Sequence, residues 1–100
     1  MNIVKIVNGN VELRKDTGQL IRTMGNGNAV DVDISRDGSH VLVTTIRGIV
    51  ELRQESGSLI RSIGNGDANG ARFSGNDILV KTKRGITELR NIQGSLIRTI

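Results

Sequence analysis

The sequence predicts an all-β fold in which nearly three four-stranded antiparallel sheets stack as the blades of a partial β-propeller. A repeat, a turn chemistry and an apolar pattern lead there. One segment recurs three times, as VELRKDTGQLIRTM at Val11 to Met24, VELRQESGSLIRSI at Val50 to Ile63 and TELRNIQGSLIRTI at Thr87 to Ile100. Glu51 follows Glu12 by 39 positions and Glu88 follows Glu51 by 37, a period that suits propeller blades. The chain has no Pro and 13 Gly, so its reversals rest on residues that tolerate positive φ. Strands such as Val41-Leu42-Val43 and Ile3-Val4 are apolar on both faces, whereas a sheet with one solvated face would alternate. Blades stacked around an axis bury both faces.

Each element follows in chain order within a single repeat domain spanning residues 1–100. Residues 1–24 form a partial blade of three strands. Ile3 to Val7 turns through Asn8-Gly9, a strong two-residue hairpin signal, into the Glu-Leu-Arg strand. A polar reversal ending in Gly18 then leads to an outer strand from Leu20, as in a short hairpin loop with Gly at the left-handed position. Residues 25–63 form a full blade: Gly25-Asn26-Gly27 leads to an inner strand at Ala29 to Ser35, and Asp37-Gly38 to a second at Val41 to Ile46. Arg47-Gly48 and Gly57 close the remaining two turns. Residues 64–100 repeat this plan, with Gly64-Asn65-Gly66, an inner strand at Ala68 to Ser74, the turn Gly75-Asn76, a strand at Ile78 to Thr82, Arg84-Gly85 and Gly94.

The run VDVDISRDGSHVLVTTIRGIVELRQESGSLIRSI resembles a blade of the WD-repeat family. Ser35, Asp37 and Gly38 match that family's Ser-x-Asp-Gly turn, Gly48 its glycine-initiated strand, and Thr17-Gly18 its Thr-Gly turn. Two positions depart from it. Arg14, Arg53 and Arg90 stand where the family carries tryptophan, and Gly-Asn replaces Gly-His, so the blades are atypical and lack the signature hydrogen-bond network. The β-prism and the β-trefoil are the competing threefold-repeat architectures. What the resemblance implies is an interaction scaffold that meets partners on its top face or axial channel.

Composition narrows the function classes. There is no Cys, which removes disulfides and thiolate metal sites. No apolar stretch approaches the roughly 20 residues of a membrane helix, and the N-terminus lacks a signal peptide's apolar core, so the expectation is a soluble cytoplasmic protein without a membrane partner. A net charge of +4 is spread through the repeats, and Phe73 is the only aromatic. That argues against nucleic-acid binding, which uses clustered charge and stacking platforms. No acid-base pair, nucleophile arrangement or cofactor motif is recognisable, so the chain is expected to be non-enzymatic and to hold no cofactor. His40, the lone histidine, sits at a turn and is assigned to the surface.

Candidate site residues fall in two groups. Asn26 and Asn65 lie in the Gly-Asn-Gly loops, and Asp31, Asp33 and Arg72 on inner strands, placing all five at the channel or top face as candidate binding residues. Asp31, Asp33 and Asp37 supply oxygen that suits Ca²⁺, but Gly70 and Arg72 replace the two strand acids in the next copy. Solvated charges are therefore preferred to a metal site. Glu12 with Arg22, Glu51 with Arg61 and Glu88 with Arg98 are read as cross-strand ion pairs, on the expectation of a three-residue hairpin loop that sets them opposite each other. A competing reading makes Arg14, Arg53 and Arg90 an anion-binding ring.

Propellers have four to eight blades, so three cannot close a ring. The exposed terminal faces point to a homo-oligomer, a dimer with six blade-like sheets first and a larger ring next, acting as a protein-interaction scaffold. A fragment of a longer repeat array would cover the same faces covalently. A multivalent carbohydrate or small-ligand binder is the alternative function, although Trp and Tyr, on which sugar faces stack, are absent.

Overall fold

The computed structural model describes Met1–Ile100 as eleven strands with no helix. β1 (Asn2–Val7), β2 (Asn10–Lys15) and β3 (Leu20–Met24) form one sheet. The second comprises β4 (Ala29–Ile34), β5 (His40–Thr45), β6 (Val50–Gln54) and β7 (Leu59–Ile63). The third comprises β8 (Ala68–Ser74), β9 (Asp77–Thr82), β10 (Thr87–Arg90) and β11 (Leu96–Thr99). Every strand pairs antiparallel with its chain neighbour inside its sheet, so each blade is a simple meander.

Turn chemistry accounts for the meander. Asn8 and Gly9 have φ of 53° and 80°, the paired left-handed residues of a type I′ hairpin, whose twist matches that of the strands it joins. On the outer hairpins, Gly18, Gly57 and Gly94 sit at φ of 96°, 94° and 94°. An irregularity follows each of them. Leu13 lies opposite Arg22 but Arg14 lies opposite Leu20, so Ile21 is an extra residue on the outer strand, and the same bulge recurs at Ile60 and Ile97. Bulges shift everything beyond them by one residue, and in a strand one residue reverses the face.

The cores lie between sheets. Val11, Leu13 and Met24 on the forward face of the first blade pack with Ala29, Val41 and Val43 on the backward face of the second. Leu42, Val50, Leu52 and Ile63 on its forward face pack with Ala68, Ala71, Ile78 and Val80 of the third. Burying each aliphatic side chain contributes about 1.5–3 kcal/mol, which makes these two seams the main source of stability. The expected double-sided burial follows from this stacking, with Leu42 and Val43 of one strand serving different seams.

Adjacent blades also touch through backbone. The Ala29 amide donates to the Gly9 carbonyl at 2.9 Å, and the Ala68 amide to the Gly48 carbonyl at 3.0 Å. A Cβ on Gly48 would lie 2.5 Å from the Gly66 carbonyl oxygen, so only glycine lets the chains approach this closely.

Candidate functional site

The inner strands β4 and β8 run side by side, and the acids of one meet the amides of the other. Alternation places Asp31 and Asp33 on the same side of β4. Asp31 accepts the Ala71 amide at 3.3 Å, and Asp33 accepts the Phe73 amide at 2.9 Å. Both donors belong to the edge of β8 that no strand pairs, where an unmet amide would cost about 1–3 kcal/mol once shielded from water. Arg72 closes the arrangement by binding Asp31 in a two-pronged contact, its second nitrogen at 3.1 Å, and by donating to the Ala71 carbonyl at 2.7 Å. Its hydrogen bond to Asp31 raises the guanidinium pKa from its ordinary value.

Gly70 makes room for this contact, since a Cβ there would stand 3.0 Å from the Asp31 carboxylate. The replacement of two acids by Gly70 and Arg72 in the next repeat is thus a complement. Asp31, Asp33 and Arg72, expected as candidate binding residues of the channel or top face, make contacts that hold two blades together, and the Arg72 side chain stays 52% exposed. Asn26 and Asn65 stand apart from them, exposed on the loops entering β4 and β8.

The expected ion pairs Glu12 with Arg22, Glu51 with Arg61 and Glu88 with Arg98 do not form. The bulges at Ile21, Ile60 and Ile97 set Thr23, Ser62 and Thr99 opposite the three glutamates and turn each of those arginines to the other face. Glutamate instead pairs with the arginine two residues on, which alternation puts on its own face. Arg14 Nε reaches Glu12 at 2.9 Å, and Arg53 and Arg90 reach Glu51 and Glu88 at 3.0 Å. The same guanidinium groups donate to the carbonyls of Gly18, Gly57 and Gly94 at 2.6, 2.6 and 2.7 Å. Each arginine therefore locks its outer hairpin, and the guanidinium groups of Arg14, Arg53 and Arg90 are engaged within their own blades rather than free for an anion. The signal available in the sequence was the invariant E-L-R spacing.

At the opposite end from the Gly-Asn-Gly loops, Asp37 organises the turn between β4 and β5. It accepts from the Ser35 and Ser39 hydroxyls at 2.8 and 2.7 Å and from the Ser39 amide at 3.0 Å. These bonds, Ser39's first, hold its carboxyl at about 2, below the ordinary 3.8. His40 Nδ1 lies 2.8 Å from the Ser39 hydroxyl. The turn is a closed network of short side chains beside an open cleft lined by Asp33, Ser35, Phe73 and Ile92. No three metal-binding side chains converge.

Two further residues were not anticipated. Asn28 and Asp67 occupy the same place before their inner strands, and each leaves one side-chain oxygen buried without a partner. Arg84 reaches the other oxygen of Asp67 at 3.3 Å.

The end faces differ from the seams. Met24 and Ile63 are 6% and 1% exposed, but their counterpart Ile100 is 73% exposed. In the two seams the following blade's hairpin glycine lies against that side chain: a Cβ on Gly57 would be 3.3 Å from Met24, and one on Gly94 would be 3.5 Å from Ile63. Gly18, the counterpart on the first blade, meets nothing within 4 Å. On the first blade's backward face Ile3 is 44% exposed, against 0% for Val41 and Ile78 in the same place. Arg14 is 29% exposed where Arg53 and Arg90 are 11% and 9%. Exposure alone is no signature of an end, because Leu20, Leu59 and Leu96 are about half exposed in all three blades. What separates Ile100 and Ile3 is the contrast with their own repeats.

No protein-family model and no curated protein sequence matches the chain. Among solved structures, it is similar to the C-terminal WD40 domain of Sif2, with a TM-score of 0.75 and 18% identity over 98% of this chain and 30% of that one. It is also similar to BamB from Moraxella catarrhalis, with a TM-score of 0.78 and 16% identity over 99% of this chain and 32% of that one. The chain spans about a third of the length of these structures. At this level of identity the likeness establishes the fold, a partial β-propeller.

Proposed function

We propose that this propeller arc associates head to tail with further copies of itself and that the resulting ring is a non-enzymatic scaffold for other proteins. The carrying observation is the pair of unmatched halves: Ile100, bare where Met24 and Ile63 are covered, and Gly18, open where Gly57 and Gly94 are covered. Setting the forward face of one third blade on the backward face of another first blade would repeat the existing seams. Leu79 and Leu89, half-buried here, correspond to Leu42 and Leu52 inside the second seam. Two arcs would give six blade-like sheets, within the range of closed propellers. Head-to-tail contacts close only for the right rotation, and a larger ring is the next solution. In such a ring the exposed loops carrying Asn26 and Asn65 would border the axis, where a partner protein would be met.

Light scattering tests the association. A discrete multiple of the 10.8 kDa chain mass is expected, and Ile100→Asp should return it to one chain without unfolding it, since that side chain is bare in the single arc. A wild-type mass of one chain at high micromolar concentration overturns the reading.

A further inference from the structure

β1 lacks something its counterparts have. β5 lies between β4 and β6, and β9 between β8 and β10, but β1 pairs with β2 alone. In an antiparallel ladder successive residues send their amides to opposite edges. Val7 and Asn10 close a two-residue hairpin, so Val7, Lys5 and Ile3 bond to β2, and the amides of Val4 and Ile6 face the open edge. Their counterparts Leu42 and Thr44 stand opposite Asp33 and Asp31 of β4. The neighbouring flank is prepared in the same way. Val32 and Ile34 of β4 correspond to Ala71 and Phe73, the residues whose amides receive Asp31 and Asp33.

We propose that the open edge of β1 is an acceptor site for a strand, and that its occupant is an extended acidic segment with the chemistry of β4. Such a segment would bond along β1 through alternate backbone groups, the mode by which sheet edges capture peptides. Acceptor side chains two residues apart would reach the amides of Val32 and Ile34, as Asp31 and Asp33 reach those of Ala71 and Phe73. Charge runs the same way. The chain carries +4. The site belongs to a single arc and does not rest on the association proposed above.

The probe is a synthetic peptide spanning Gly25 to Gly38, which contains the β4 sequence with three Asp and one Arg. Added to the intact chain, it should slow hydrogen exchange at the amides of Val4 and Ile6 by about tenfold or more, with saturable binding by fluorescence anisotropy. The same peptide carrying Asp33→Pro loses an amide that faces the partner strand and should bind about tenfold more weakly or worse. Absence of binding, binding that leaves those two amides unprotected, or equal binding of the proline peptide overturns the site. Light scattering on the same samples separates the two proposals, because a single arc that binds the peptide keeps this one and removes the ring.

Discussion

Replacing Glu51 with Ala tests the account of the hairpin locks. Glu51 and Arg53 have side chains 10% and 11% exposed, joined at 3.0 Å, and the second donor of Arg53 lies 2.6 Å from the Gly57 carbonyl. Deleting the carboxylate strands a guanidinium in the seam, and breaking a buried pair from one side costs about 3–5 kcal/mol. The same deletion at Glu12 leaves Arg14 near water, where a pair contributes about 0–1 kcal/mol. The two variants should therefore differ by about 2–5 kcal/mol in urea unfolding at equal m-value. Replacing Glu51 and Arg53 together with Leu and Met should recover most of the loss, because apolar side chains of similar volume remove both charges at once. Equal losses at the two glutamates, or a double variant no better than Glu51→Ala, would refute the reasoning. Should copies associate over the first blade, the loss at Glu12 will grow with protein concentration.

Gly48→Ala should destabilise by more than the roughly 1 kcal/mol of a strained φ, because its Cβ would press the Gly66 carbonyl, whereas Gly25→Ala meets nothing and should cost only the conformational share; thermal melting compares them. Asp33→Asn keeps an acceptor for the Phe73 amide and should retain stability, while Asp33→Ala should lose about 1–3 kcal/mol and speed hydrogen exchange at Phe73. Asp37 is depressed in the folded chain from 3.8 to about 2, so the unfolded form takes up its proton first. Its contribution should hold above pH 4 and fall away as pH drops toward 2, a slope that Asp37→Asn should flatten in acid titration of unfolding.

Strand order, turn positions and the number of sheets were legible because each depends on a local signal. Asn8-Gly9 declares its own hairpin, and the E-L-R repeat fixes the period. The face of Arg22 was not legible. Loop length before Gly18 predicts the register that Arg14 and Leu20 in fact have, but nothing in Leu-Ile-Arg announces that Ile21 will bulge one residue further on. A similar limit hid the work of Asp31 and Asp33. Their alternation was visible, but their partners are backbone amides 40 positions on, brought near only by stacking. Gly70 carried the missing clue, as a glycine inside a strand marks a close approach.

The division of the apolar interior into two seams has a consequence for how the arc comes apart. The second sheet belongs to both seams, while the first and third each belong to one. Either outer sheet can peel away and leave a two-sheet remnant, but losing the central one dissolves every apolar contact between sheets at once. Opening should therefore proceed inward from the termini in steps, as in linear repeat arrays, with the slowest-exchanging amides on β5 and β6.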